Sequence, residues 1–178
     1  AIRKKELLSL SEQQLLDCDR FDYGCGGGWP VQPFDALLES GGIETEKTYP
    51  YKGKKRECEF KKENVRAYIN GTQVIPSNEF FMASEVYQAP ISVGVNAIDM
   101  QFYWSGISHP KKTICTTWGI NHMVVIVGYG VEDEIPYWII RNSWGTGFGE
   151  KGYYRLYRGD NSCGVASDPV TVIITPGD

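Results

Sequence analysis

Residues 121–130 read Asn121-His122-Met123-Val124-Val125-Ile126-Val127-Gly128-Tyr129-Gly130. A histidine stands immediately before five apolar residues, and glycines follow them. Met123 to Val127 is a short apolar run of the kind a buried strand uses. The histidine therefore stands at the mouth of a strand. Beyond it, Tyr137 to Arg141, Tyr153 to Tyr157 and Val170 to Thr175 read as further strands with glycine-rich breaks between them, and Ile91 to Val95 alternates as a strand upstream.

The front of the chain has a different character. Ser11-Glu12-Gln13-Gln14 fits a capping box, with Ser11 capping and Gln14 reaching back, so a short helix is expected to about Cys18. A glycine-rich loop, Gly24 to Gly28, comes next. Pro30 and Pro33 suit the first turn of a second helix with Val31, Phe34, Leu37 and Leu38 on its apolar side, and Gly41-Gly42 ends it. Residues 44–64 are charged and turn-like. Asn78 to Gln88 reads as one more helix, stopped before Pro90. The expected plan is α+β, with a helical part over 1–70, a β-rich part over 71–178 and a cleft between them.

Composition narrows the function. The chain has 178 residues, 42% of them hydrophobic, and a net charge of −4. Without a basic excess to neutralise phosphates, the balance argues against nucleic-acid binding. No apolar run approaches the ~20 residues of a membrane helix. The five cysteines, at 18, 25, 58, 115 and 163, include no C-x-x-C pair. Their wide spacing suggests a disulfide framework in an oxidising compartment, and the odd count leaves one thiol over. Asn70-Gly71-Thr72 is an N-glycosylation sequon, in keeping with secretory traffic.

A second block pairs with the histidine segment: Arg141-Asn142-Ser143-Trp144-Gly145-Thr146-Gly147-Phe148-Gly149-Glu150-Lys151-Gly152-Tyr153. Together with Leu8 to Gln13, Asp17-Cys18 and Cys25-Gly26-Gly27-Gly28, these blocks resemble the papain family of cysteine peptidases over nearly the whole chain. Within the family the resemblance is greatest to the cathepsin F-like branch, carried by Glu12 to Cys18, Met100 to Tyr103 and Gly149 to Tyr154. The resemblance implies a papain-like two-lobe fold, here a truncated helical left lobe and an antiparallel β-barrel-like right lobe.

It also implies roles. In such a site a thiolate attacks a peptide carbonyl. An imidazole lowers the thiol pKa and later protonates the leaving amine, and an amide side chain holds the imidazole tautomer. His122 is the expected acid/base, Asn142 its orienting partner and Trp144 the cover over their hydrogen bond. Taken singly, His122 reads better as a buried histidine opening a strand and Asn142 as a turn residue; together, in these two blocks and with only two histidines in the chain, they favour the site. Phe148 stands where the family has a second tryptophan, which keeps an aromatic ring and loses an indole N–H. Asn121 stands where many members carry aspartate, which removes a charge beside the imidazole. Gly27 and Gly28 are expected to bond an extended substrate backbone, since no Cβ blocks approach. Trp29, Pro30 and Gly94 line the pocket for the residue two before the scissile bond. Asp168 falls at the base of that pocket, favouring Lys or Arg there, or else it is a solvated turn aspartate before Pro169.

The nucleophile has no candidate within the sequence. The family's C-G-[SA]-C-[WY] signature lies ~130–150 residues before the histidine, which places it upstream of Ala1. Cys25-Gly26-Gly27-Gly28-Trp29 resembles that signature, but Gly28 lies only 94 residues before His122 (122 − 28). The resemblance pairs Cys18 with Cys58 and Cys115 with Cys163. It leaves Cys25 to a cysteine of the same upstream segment, which also holds the oxyanion-hole glutamine. Ala1 to Leu7 resembles the end of the family's central helix, and the first lobe is expected to expose apolar surface without the rest of it.

The resemblance implies no metal and no organic cofactor, a secreted or lysosomal location, and peptide or protein substrates or cystatin-like inhibitors as partners. The upstream chain is a further partner, joined through Cys25. This chain alone is expected to be inactive. The alternatives are a non-catalytic homologue that binds peptides, inhibitors or a protein partner in the groove, and an interaction module.

Overall fold

Ser11 opens the first helix, α1 (Glu12–Cys18), with its hydroxyl accepting the N–H of Gln14 at 2.9 Å. The computed structural model describes residues 2 and 5–175. The capping box expected at this helix forms only in half. Gln14 does not reach back: its amide donates to the Gly42 carbonyl and accepts the Glu44 N–H, while the Ser11 N–H goes to the Glu44 carbonyl. A long-range pair of bonds displaces the local one because Gln14 is buried and must be satisfied at both ends.

The chain divides into two compact units, Ala1–Gln73 with Val172–Asp178, and Val74–Thr171. The first holds α1 and α2 (Val31–Ser40). Pro30 caps α2, and Gly41, at φ 79°, closes it by donating to the Leu37 and Leu38 carbonyls. Of its four apolar positions, Leu37 is buried, Val31 and Phe34 are half-buried and Leu38 is exposed. The interior of this unit is largely polar: Ser11, Gln13, Gln14 and Glu44 are all at most 1% exposed. They hold the charged 50–61 segment by its backbone. Gln13 takes the Lys52 N–H, Asp17 the Arg56 N–H and Glu44 the Lys61 N–H, and the Cys18–Cys58 disulfide adds a covalent tie. Leu7, Tyr23 and Trp29 are exposed. Of the helix end expected over Ala1 to Leu7, Ala1, Arg3 and Lys4 lie outside the described residues, and Lys5 to Leu7 are not helical. Strand β1 (Gly71–Val74) follows Asn70, whose N–H donates to the Ile173 carbonyl.

The second unit carries the apolar core and most of the sheet. Helix α3 (Glu79–Val86) is capped by the Asn78 side chain. The strands are β2 (Ile91–Val95), β3 (Ile107–Ser108), β4 (His122–Glu132), β5 (Ile135–Arg141), β6 (Tyr153–Tyr157) and β7 (Val170–Ile173). Their order is β7-β2-β4-β5-β6-β3, antiparallel except for the short β3–β6 pair. Alternate residues Ile91, Val93 and Val95 of β2 and Val124 and Ile126 of β4 pack inward with Trp138, Ile140, Tyr154 and Leu156, all below 5% exposed. Strand β4 runs five residues past Val127. A register irregularity between Ile126 and Gly128 lets it continue as a hairpin with β5, turned by Asp133 and Glu134 at φ 49° and 64°. The last strand stops at Ile173 rather than Thr175. Among the described residues, no helix is long and apolar enough to cross a membrane.

Candidate active site

Register brings the two chemistry-bearing residues of the second unit together. His122 opens β4 opposite Val95, and Asn142 follows directly on β5, whose Arg141 pairs with Val125. Asn142 is 4% exposed, and its Oδ1 lies 2.9 Å from His122 Nε2. The same Oδ1 accepts the Ser143 N–H at 2.8 Å. That second donor fixes the amide orientation, since the reversed amide would set two N–H groups against each other. Oδ1 is therefore the acceptor, His122 carries its proton on Nε2, and Nδ1 is left to take or give a proton. Asn142 Nδ2 is buried without a partner among the described residues.

The loop between β5 and β6 builds the cover. The Asn142 N–H donates to the Gly152 carbonyl, and the Gly152 N–H to the Phe148 carbonyl, which closes the loop on itself. The Trp144 ring lies 5.0 Å from the imidazole at 30°, and Phe148 meets Trp144 edge-on at 5.1 Å. An aromatic ring at 148 thus packs edge-on against Trp144 without an N–H. Asn121 is committed elsewhere: its Oδ1 accepts the Ala97 N–H at 2.9 Å, which ties β2's exit to β4's entry.

Two acid–base groups at the loop's far end were not singled out from sequence, although Glu150 lies within the quoted block. Glu150 receives Arg155 Nε and Nη2 at 2.8 Å each and the Gly106 N–H at 2.9 Å. The Arg155 hydrogen bonds hold the Glu150 carboxyl below its ordinary value, against a smaller opposing effect of burial.

The other predicted site residues are placed as follows. In the second unit Gly94 sits in β2 opposite Met123, and a Cβ there would lie 2.6 Å from Ile120 Cγ2, so only glycine fits the contact. Asp168 is in an exposed bend before buried Pro169. In the first unit, Gly27 is exposed with open space where a Cβ would be. Gly28 lies so close to the Asp22 carboxylate that a Cβ would overlap it. Asp22 accepts the N–H of Trp29, whose side chain is exposed, and burial raises the Asp22 pKa. Pro30 is buried. The disulfides are Cys18–Cys58 and Cys115–Cys163, and Cys25 is free and exposed. Asn70 is exposed, with its Oδ1 accepting the Thr175 N–H. Among the described residues, no group of three or more His, Cys, Asp or Glu is placed to hold a metal ion.

Known proteins resemble this chain over nearly its whole length. Cathepsin F of Mus musculus is 48% identical over 165 residues, 92% of this chain and 36% of its own length. Cathepsin F of Drosophila melanogaster is 43% identical over 182 residues, 98% of this chain and 30% of its own. The chain thus spans about a third of the length of these relatives. Among solved structures, procathepsin L 3 of the Tenebrio molitor larval midgut superposes with a TM-score of 0.92 at 36% identity, over 98% of this chain and 58% of that one. The bromelain protease of Ananas comosus, solved with the E64 inhibitor, gives 0.88 at 39% identity, over 98% and 82%. A model of the papain family of cysteine proteases matches residues 1–173, and the chain belongs to that family.

Proposed function

We propose that this chain is the larger, histidine- and asparagine-bearing part of a cathepsin F-like cysteine endopeptidase. The observation that carries the reading is the His122–Asn142 bond, with its proton placed on Nε2 and its cover supplied by Trp144. In this reading a thiolate from a segment outside these 178 residues attacks the peptide carbonyl. His122 Nδ1 takes the thiol proton and later delivers it to the leaving amine, and Asn142 keeps the ring in register through both steps. Trp144 keeps water off the bond that Asn142 makes.

The reading keeps the two lobes of the resemblance, a helical lobe over 1–70 and a β-rich lobe over 71–178, although the compact units join the segment from Val172 onward to the first. In this reading the substrate-binding residues are Gly27, Gly28, Trp29 and Pro30 of the first unit and Gly94, Asn121 and Asp168 of the second. Asp168, exposed and acidic, favours Lys or Arg two residues before the scissile bond. Peptide substrates and cystatin-like inhibitors are the expected occupants, with no cofactor. Two disulfides and the Asn70 sequon support a secreted or lysosomal, glycosylated protein. In this reading none of the chain's own thiols is the nucleophile. Among the described residues its one free cysteine, Cys25, sits in the glycine loop of the first unit.

The test is the intact mass of the natural protein, non-reduced and then reduced, followed by a peptidase assay. A heavier species supports the reading if it hydrolyses peptides and loses that activity on alkylation of one thiol. A small chain released on reduction identifies Cys25 as the link. A single longer chain places the nucleophile in the same polypeptide. A mass equal to this chain, with Cys25 free or capped and no hydrolysis, overturns the catalytic reading in favour of a non-catalytic peptide-binding homologue.

A further inference from the structure

The imidazole is held by Asn142 and covered by Trp144, but both sit on a loop that runs exposed from Ser143 to Gly147. What holds the loop is at its other end. Glu150 takes a two-pronged bond from Arg155 of β6, at 2.8 Å on each oxygen, and Arg155 Nη1 also reaches Glu132 of β4 at 2.7 Å. The Arg155 side chain is only 18% exposed, so the pair is partly shielded from water and its geometry is the strong, planar kind.

Glu150 holds a second segment as well. Its Oε1 accepts the Gly106 N–H, and the Gly106 carbonyl accepts the Tyr103 hydroxyl at 2.7 Å. The Tyr103 ring is thereby pressed onto the loop, where a Cβ on Gly149 would lie 2.7 Å from it. Tyr103 also faces Phe148 at 6.0 Å, and Phe148 meets Trp144, which lies on His122. A continuous line of contacts leads from the ion pair to the imidazole.

We propose that Glu150 and Arg155 are positioning residues for the acid/base, setting the Trp144 cover through Tyr103 and Phe148 so that the His122–Asn142 bond stays closed to water. The inference rests on His122 being the acid/base of the preceding reading. Neither residue touches substrate or reacting atoms. Their role is to keep the loop in the one arrangement in which Trp144 lies over the ring.

The test reads a proton on this chain and needs no hydrolysis. With two histidines in the sequence, the His122 Nε2–H resonance is assignable by ¹⁵N NMR. The Trp138 Nε1–H, bonded to Glu79 in the same unit, reports whether that unit remains folded. In Glu150→Gln the His122 Nε2–H is expected to exchange with water about tenfold faster, with Trp138 Nε1–H unchanged, as the loss of one charge-assisted bond implies. Arg155→Lys, which keeps the charge and loses the fork, is expected to do the same, and it is read alone if Glu150→Gln does not fold. Unchanged His122 exchange overturns the proposal. So does equal acceleration at His122 and Trp138, which would make the pair a general support of the fold. If the natural protein fails to hydrolyse peptides, the exchange result still stands on its own.

Discussion

Asn142 Oδ1 accepts two hydrogen bonds at once, from His122 Nε2 at 2.9 Å and from the Ser143 backbone N–H at 2.8 Å. The backbone donor cannot change its role, so the side-chain oxygen is locked as an acceptor and the imidazole proton is locked onto Nε2. Asn142→Ala removes that lock. The neutral His122 ring is then expected to populate both tautomers, read as averaged ¹⁵N shifts of its two nitrogens, and stability is expected to fall by about 1 kcal/mol for the lost bond. A ring that stays wholly Nε2-protonated in the variant would show that something other than Asn142 sets the tautomer.

Gly94 and Ile120 make a contact that a methyl group cannot enter. A Cβ at 94 would lie 2.6 Å from Ile120 Cγ2 and 3.5 Å from Met123 Cε. Met123 can swing aside, but Cγ2 is fixed to the Ile120 Cβ and moves only with the backbone or a rotamer change. Gly94→Ala is expected to destabilise by about 1–3 kcal/mol, the range for overpacking a filled interior. A urea midpoint equal to that of the parent chain would mean that Ile120 yields freely.

How much of this was legible in the sequence depends on how local each feature is. Strands Ile91–Val95 and Tyr153–Tyr157 have the bounds their patterns gave, α2 begins and ends at Pro30 and Gly41, and α3 begins after Asn78 but ends at Val86, two residues before Gln88. The His122 and Asn142 blocks were legible because each is a contiguous run. Strand β4 takes in His122 and runs five residues past Val127, although Gly128 and Gly130 look like a break. They are instead ladder positions opposite Ile139 and Tyr137, where a Cβ on Gly130 would strike the Tyr137 ring. The role of Gln14 is not local, because its partners, Gly42 and Glu44, are distant in the chain. The roles of Glu79 and Glu150 escaped for the same reason: no periodicity marks a carboxylate whose donors lie far along the chain.

Glu79 shows what such a carboxylate does. It opens α3 and accepts three N–H groups, from Trp138 Nε1 at 2.8 Å, Gly159 at 2.9 Å and Asn161 at 2.7 Å. Trp138 is fully buried, so its indole proton has no water to turn to. Glu79→Ala strands that donor and frees the turn that leads to Cys163. The expected cost is about 2–3 kcal/mol, from one buried unsatisfied donor and two weaker losses. A loss below about half a kcal/mol in urea unfolding, the range of an ordinary surface substitution, would refute this assignment.

Acid should act on the second unit through Glu150. The Arg155 hydrogen bonds lower its pKa in the folded chain, so the folded state takes up the proton at lower pH than the unfolded chain does. The stabilisation is therefore complete above the ordinary glutamate value of 4.5 and is lost as pH falls through the depressed folded value. Asp22 in the first unit has the opposite sign: its raised pKa makes its contribution largest at low pH and removes it as pH rises through the folded value. A bare pH profile mixes the two, so the informative experiment is a difference. Urea midpoints of the parent chain and of Glu150→Gln, taken from pH 7 to pH 3, are expected to lie apart at neutral pH and to draw together as pH falls below 4.5, because the glutamine cannot gain a proton. Curves that stay parallel over the whole range would mean that the Arg155 bond contributes equally to the protonated and ionised forms, which a charge-assisted pair cannot do.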